Sequence, residues 1–251
     1  MKIRFCLLLL LIVGTVKQTI GQKHTQNIEQ IWAAYFNQTR FSNKWGAWLD
    51  VQLRTKDDFV KDFAQLLIRP GLTYYVNDNV RLTAGYSHFW FYPADNHSKV
   101  TQPEHRPWQQ VQWITKYNRN KTIQALRLEE RYRRRILNDS TLAKGYTFNY
   151  RLRYNFSWQI PLSQQVKKRS WSAVLGNEVF INFGKQITYN YFDQNRLFVG
   201  LSCSTNATDN LQFGYLNIFQ QLASGNNYRS TSIARVAYLH NLDLRNKKPA
   251  R

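Results

Sequence analysis

Charged side chains recur at every second position in several segments of the chain, and many of them are arginines. Arg127, Glu129 and Arg131 follow this spacing, and Arg151 and Arg153 repeat it. Alternate residues of a β-strand point to the same face, so these runs place arginine beside carboxylate on one surface. Arginine binds a carboxylate through two parallel hydrogen bonds. The spacing therefore predicts an ion-paired surface in the interior of the fold.

The candidate binding residues of this surface are Arg127, Glu129, Arg131, Arg151, Arg153, Glu178 and Arg196. The same pattern predicts that Asp50, Arg54, Arg69, Arg81, Arg133 and Arg235 also face inward. Charges enclosed in the interior of a fold must be paired or hydrated, which favours a structural ionic network. The excess of arginine over acid favours instead a site or pathway for a small anionic solute. Both interpretations stay open at this stage.

A hydrolytic site needs a nucleophile beside a base, and the sequence offers two serine–histidine neighbours. Ser87 and His88 would lie on one strand and point to opposite faces, so they cannot pair directly. His97 and Ser98 fall in a predicted loop that Pro103 stiffens. No Gly-x-Ser-x-Gly motif is present. We predict that the protein is not an enzyme, with an outer-membrane lipid hydrolase as the alternative.

Metal and disulfide chemistry find little support in the sequence. The five histidines are scattered, and no His-x-x-x-His spacing occurs. Of the two cysteines, Cys6 lies in the N-terminal apolar run, which leaves Cys203 alone. We therefore predict no metal site and no cofactor.

The element that must position these charges is clearest in residues 146–160. Every even position there is apolar, and every odd position is polar. A fifteen-residue strand with one apolar and one polar face is longer than most strands of soluble proteins, which have about 5–6 residues. Strands that cross a membrane in a barrel need about 9–11 residues or more. The segment is therefore typical of a transmembrane β-strand.

The same alternation recurs along the rest of the chain, with mixed faces in four of the segments. The eleven segments are 29–41, 44–56, 64–76, 80–92, 107–117, 121–136, 146–160, 171–183, 196–205, 211–221 and 228–244. Bacterial single-chain barrels have even strand numbers. We therefore predict an all-β fold, an antiparallel transmembrane β-barrel of 10 or 12 strands. Pro70 lacks the N–H of a ladder residue and predicts a bulge.

Short, turn-rich connections alternate with longer ones, as in membrane barrels. Segments 77–79 and 118–120 are short, whereas 93–106 and 137–145 are predicted as long loops. The short turns should face the periplasm.

The first 21 residues have the features of a cleaved signal peptide. Lys2 and Arg4 precede the apolar run Phe5 to Val13, which is too short to span a bilayer. Residues 1–21 are thus predicted as signal and 22–251 as the barrel domain. Removing the three lysine and arginine residues of the signal from the net charge of +20 leaves +17. Export makes lipopolysaccharide phosphates or an acidic solute better partners than nucleic acid.

An ordered set of short motifs carries a family resemblance. The motifs are His105-Arg106-Pro107-Trp108-Gln109-Gln110, Leu126-Arg127-Leu128-Glu129-Glu130-Arg131-Tyr132, Tyr150-Arg151-Leu152-Arg153-Tyr154, Ile160-Pro161-Leu162, Asn177-Glu178-Val179-Phe180, Phe192-Asp193-Gln194-Asn195-Arg196 and Gly214-Tyr215-Leu216. In this order they resemble the uncharacterised Bacteroidetes outer-membrane family called domain of unknown function 2490. The resemblance covers nearly all of the mature chain.

What the resemblance implies is a barrel in the outer membrane of a Gram-negative bacterium, inserted by the barrel-assembly machinery and surrounded by outer-membrane lipids and lipopolysaccharide. It implies no specific activity. The final strand ends near Leu242-Asp243-Leu244 without the terminal aromatic residue of the common assembly signal. We expect an outer-membrane barrel with an arginine-rich lumen. A lipid-modifying hydrolase and a basic rim that binds lipopolysaccharide phosphates are the alternatives.

Overall fold

A computed structural model describes residues 24–56, 59–93, 97–162 and 169–245. They form eleven strands and no helix: β1 (His24–Arg40), β2 (Trp45–Lys56), β3 (Asp62–Tyr75), β4 (Val80–Phe91), β5 (Gln102–Tyr117), β6 (Asn120–Asn138), β7 (Thr141–Pro161), β8 (Ser170–Phe183), β9 (Phe192–Ser204), β10 (Asp209–Gln221) and β11 (Asn227–Asp243). The predicted signal peptide, residues 1–21, lies outside the described residues. No helix able to cross a bilayer occurs within these ranges.

The strands close into a single barrel in chain order, and the all-β fold class is confirmed. Each strand pairs antiparallel with its neighbours in sequence, whereas β1 and β11 pair parallel along seventeen residue pairs. Each hairpin reverses the direction of the chain, so the first and the eleventh strand run in the same direction. A barrel with an odd number of such strands can therefore close only through a parallel pair. The count of eleven is therefore correct, and the expected even number is not found among the described strands.

Side chains alternate across the barrel wall as the period-two pattern predicts. In β7, Arg151 is buried, while Tyr154 and Trp158 on the other parity are exposed. A closed single sheet has only its interior in which to bury a residue, so the buried parity faces the lumen. The apolar parity forms the outer surface.

The connections fall at two ends of the barrel. The turn end carries 41–44, 76–79, 118–119, 162–169 and 205–208, and the loop end carries 57–61, 92–101, 139–140, 184–191 and 222–226. The predicted alternation of short and long connections holds in part, because 162–169 is long and 139–140 is very short.

One predicted loop is largely strand, and the C-terminal part of another is strand. Segment 137–145 is instead the tip of the β6–β7 hairpin, where Ile136 pairs with Leu142 and Asn138 caps the turn by accepting from the Ser140 amide at 3.0 Å. In segment 93–106, β5 already begins at Gln102, which pairs with Phe91. Pro103 therefore lies in a strand, not in a loop.

One side of the barrel interior holds a cluster of buried apolar side chains. Six buried apolar residues, Trp32, Val174, Phe198, Leu216, Ile218 and Ile233, form a cluster on β1 and β8–β11. At Pro70, which has no N–H to donate, the pairing of β3 with β4 is interrupted, but the register is the same on both sides, because Ile68 pairs with His88 and Gly71 with Gly85. A bulge would shift the register, so the bulge predicted at Pro70 is wrong. Gly71 and Gly85 lie under the ring of Trp108, because a Cβ at either position would meet its Cζ2 at 3.0 and 2.8 Å.

Candidate functional site

The lumen holds a cavity of about 1400 Å³ that residues of all eleven strands line. Its lining extends from Asn206 and Thr208 at the turn end to Pro93 and Leu222 at the loop end. The cavity therefore runs along the barrel from one end to the other.

The half of the lumen nearer the loop end is a connected ion-pair network. Glu104 binds Arg106, accepts from Arg131 Nε at 2.8 Å and lies 3.5 Å from Arg133 Nε. Glu104 is fully buried, so these arginines supply the charge that its burial requires.

Glu129 is the second centre of this network. Its Oε2 accepts from Arg151 Nε at 3.0 Å and Nη2 at 2.5 Å, and lies 3.5 Å from Arg106 Nη1. Arg151 in turn donates to Asp193 Oδ2 at 3.0 Å, which links β6, β7 and β9. Arg127 Nη1 lies 3.8 Å from Glu129 Oε1. Its Nε and Nη2 donate instead to Gln110 Oε1, at 2.9 and 2.8 Å.

Two smaller ion-pair groups lie nearer the middle of the barrel. Arg69 donates to Asp50 at 2.7 Å and to the Ser87 hydroxyl at 3.0 Å. Glu178 binds Arg153 and lies 3.7 Å from Arg196 Nη1. These contacts cross between neighbouring strands and fix the arginines against the wall.

Aromatic rings inside the lumen hold the guanidinium groups as well. Arg106 lies 3.6 Å from the ring centroid of Phe89, and Arg127 lies 4.5 Å from that of Trp108. A guanidinium over a ring gains a cation–π attraction and keeps its N–H edges free for other partners.

Positive charge exceeds negative charge throughout this cavity. Fourteen arginine and lysine side chains line it, against the carboxylates of Asp50, Glu178 and Asp209. Glu104, Glu129 and Asp193 are buried beside it. Fourteen cations against six carboxylates leave a net charge of +8 in and around the described lining.

All seven candidate residues from the sequence face the lumen, and the structure brings them into contact. Arg127, Glu129, Arg131 and Arg151 belong to the loop-half network, and Arg153, Glu178 and Arg196 form the group on β7–β9. Asp50, Arg54, Arg69, Arg81, Arg133 and Arg235 also line the cavity.

Sequence reasoning missed three charged members of the network. Glu104 and Arg106 were placed in a predicted loop. Asp193 falls in the connection predicted before segment 196–205, whereas β9 already begins at Phe192. The parity of that segment, extended back to Asp193, would place it on the outer face, but the pairing of β8 with β9 shifts between Phe180 and Ile181. This bulge turns both Asp193 and Gln194 inward, and a bulge is not visible in an alternation pattern.

The serine–histidine candidates do not form pairs. Ser87 faces the lumen and contacts Arg69, whereas His88 lies on the outer parity beside His105, with 3.3 Å between their Nδ1 atoms. In the 92–101 connection, the Ser98 hydroxyl and amide both donate to Asp139, and these hydrogen bonds hold the pKa of that carboxyl below its usual range.

His97 Nδ1 lies 2.9 Å from the Val100 carbonyl oxygen instead of facing the Ser98 hydroxyl. Within the described ranges, no group of three or more His, Cys, Asp or Glu residues is placed to hold a metal ion.

The fold and this lumen define a class: a closed eleven-stranded β-barrel with apolar side chains outside and an ion-paired, net-cationic cavity inside. A family model described as "Protein of unknown function (DUF2490)" matches residues 29–229. The chain belongs to that family, as the ordered motifs predicted.

A curated relative is an uncharacterized protein of Methylorubrum extorquens, 26% identical over 164 residues. The alignment covers 63% of this chain and 64% of the relative, so the chain spans less than two thirds of that protein's length. No solved structure matches the chain significantly.

Proposed function

We propose that the protein is an outer-membrane β-barrel whose lumen admits small anionic solutes. The observation that carries the proposal is the +8 charge around a cavity that runs from the turn end to the loop end. A cavity lined by one sign of charge concentrates ions of the other sign. The ion-paired arginines form the rigid frame of this pathway, and the unpaired ones supply its selectivity.

The membrane part of the proposal is supported by the outer surface. Leu126, Leu175 and Val199 are exposed near the middle of their strands. Exposed aromatic residues lie towards both ends, with Trp45, Tyr117 and Trp171 towards the turn end and Tyr132 and Phe183 towards the loop end. Tyr154 and Tyr215 are exposed between them, at the level of Leu126 and Val199. An outward-facing band of apolar side chains with aromatic residues towards both of its edges is typical of barrels that sit in a bilayer.

Bilayer recordings of the purified protein in a KCl gradient test this function. The wild type should give a small conductance with a reversal potential on the anion-selective side. Arg81→Glu should move that potential towards zero, because Arg81 lines the cavity and has no carboxylate within ion-pair distance among the described residues. Lys144→Glu makes the same charge change on the exposed β6–β7 hairpin and should leave it unchanged. A silent or cation-selective wild type would contradict the proposal.

A second candidate function rests on the β6–β7 hairpin at the loop end. Arg135 and Lys144 are exposed there, and Lys99 is exposed on the adjacent 92–101 connection. The backbone amide of Lys99 donates to the carbonyl oxygen of Asp139. Such a basic rim suits lipopolysaccharide phosphates, which carry negative charge close to the membrane surface. Neutralising all three lysine and arginine residues should then weaken retention on immobilised lipopolysaccharide without changing the conductance.

A further inference from the structure

Trp32 narrows the lumen near the middle of the barrel. It lies on β1, and its ring centroid is 3.7 Å from the guanidinium carbon of Arg54 and 5.3 Å from that of Arg196. Arg54 is on the adjacent strand β2, but Arg196 is on β9, which β10 and β11 separate from β1. The contact of Trp32 with Arg196 therefore crosses part of the lumen and brings two arginines to one ring.

The charge of Arg54 is not compensated by a carboxylate within ion-pair distance in the described part of the chain. Its terminal nitrogens donate to Gln65 Oε1 at 2.5 Å and Gln52 Oε1 at 2.8 Å, and its buried Nε has no hydrogen-bond partner. The acid nearest along β2, Asp50, is engaged by Arg69 at 2.7 Å. Arg54 is thus bound by two neutral amides, whereas the arginines of the ion-pair network nearer the loop end are bound by glutamates.

Arg196 and Arg235 are only partly compensated. Arg196 shares Glu178 with Arg153, and its own distance to that carboxylate is 3.7 Å. Arg235 donates to Gln212 Oε1 at 2.7 Å and lies 5.0 Å from the ring centroid of Phe198. Arg54 and Arg235 are the ladder partners of Trp32 on its two sides, and Arg196 reaches the ring of Trp32 from β9. Among these three arginines of the described chain, only Arg196 has a carboxylate within ion-pair distance, and it shares that carboxylate, Glu178, with Arg153.

We propose that Arg54, Arg196 and Arg235 form a binding site for a small oxyanion, a carboxylate or a phosphate. The aromatic rings cover the faces of the guanidiniums and leave their N–H edges for a ligand, and planar forks of donors suit oxyanions in particular. This inference rests on the proposed function, since it names the class of solute that the lumen selects. The bound oxyanion supplies the counter-charge that Glu104 and Glu129 supply nearer the loop end.

Calorimetric titration of the protein in nanodiscs tests the site without requiring passage. Inorganic phosphate and succinate are the probes, and chloride is the spherical comparison. At least one oxyanion should bind saturably and more tightly than chloride. Arg54→Gln should weaken that binding by about tenfold or more, the effect of losing a hydrogen bond to a charged group.

Two matched variants separate a site from general charge. Arg81→Gln removes the same charge from the same cavity nearer the turn end and should change the affinity by less than about threefold, the part due to long-range attraction alone. Arg54→Lys keeps the charge but loses the planar fork, so it should also weaken oxyanion binding. All variants must keep the circular dichroism of the wild type.

The outcomes distinguish the site from the pathway. No saturable binding of either oxyanion, or equal losses in Arg54→Gln and Arg81→Gln, would overturn the site even if the wild type is anion-selective. Saturable binding that depends on Arg54 in an electrically silent protein would sustain the site and overturn passage.

Discussion

Phe180 shows how single residues organise the interior. Its fully buried ring lies 5.0 Å from the guanidinium of Arg151, 5.2 Å from that of Arg153 and 4.5 Å from that of Arg196. The ring attracts all three cations without cancelling their charge. Aromatic residues on the lumen parity therefore allow like charges to be packed closely while the lumen stays positive.

Glu129 should be indispensable to the ion-paired half of the lumen. Glu129→Gln removes the buried carboxylate that Arg151 and Arg106 share, and leaves only Asp193 to compensate Arg151 and only Glu104 to compensate Arg106. Removing one member of a buried pair costs about 3–5 kcal/mol. The free energy of unfolding in urea should fall by that order.

The neighbouring Glu130 has the outward parity and provides the control. Glu130→Gln should change the unfolding free energy by less than about 0.5 kcal/mol. Equal effects of the two substitutions would show that Glu129 is not a structural centre.

At this scale the alternation of the sequence was enough to place arginine and glutamate on the lumen face. Arg127, Glu129 and Arg131 share a parity, and no irregularity intervenes between them. The partners could not be predicted, because Arg151 reaches Asp193 on a strand two positions away in the barrel. The sequence pattern does not single out Trp32 and Phe180 either, since an aromatic residue on the polar face of a strand carries no signal of its own.

Among the elements, β4 depends on a glycine that makes room for a neighbouring strand's side chain. A Cβ at Gly85 would lie 2.3 Å from the Pro70 carbonyl oxygen and 2.8 Å from Trp108 Cζ2. The backbone oxygen cannot move away cheaply, so Gly85→Ala should cost about 1–3 kcal/mol and displace Trp108. Unfolding in urea and the near-ultraviolet circular dichroism measure both effects.

Gly176 on β8 offers the matched control for this substitution. A Cβ there meets nothing closer than Phe198 Cβ at 3.5 Å, an ordinary contact. Gly176→Ala should leave the near-ultraviolet spectrum unchanged. A spectrum that Gly85→Ala also leaves unchanged would mean that Trp108 does not rest on Gly85.

Element boundaries were the weakest part of the sequence prediction. The alternation fades in 137–145, yet Arg134 pairs with Tyr146 and Ile136 with Leu142. The hairpin extends because the Asn138 side chain closes its turn by hydrogen bonds, a local effect that composition alone does not separate from a loop.

For the whole molecule, the two ends of the barrel should lie on opposite sides of the outer membrane. We expect an epitope inserted at Ser140, in the loop-end β6–β7 turn, to be labelled on intact cells. An epitope at Arg119, in the turn-end β5–β6 turn, should be labelled only after permeabilisation. The reverse pattern would invert the orientation, and equal labelling of both would contradict a spanning barrel.

The number of strands in the barrel agrees with the number of alternating segments in the sequence, and not with the even number that is usual in bacterial barrels. Each of the eleven sequence segments overlaps a strand, and no described segment forms a twelfth. The even number is a tendency of bacterial barrels and not a requirement of hydrogen bonding, because a parallel seam also satisfies both edges.

Because of that parallel seam, the first strand starts and the last strand finishes at opposite ends of the barrel, whereas in an even-stranded meander they do so at the same end. β1 starts at the loop end with His24, and β11 finishes at the turn end with Asp243. Under the proposed membrane placement, a domain joined ahead of β1 and another joined behind β11 would therefore stand in different compartments. The barrel would then anchor two domains in the membrane, one that faces the environment and one that faces the cell.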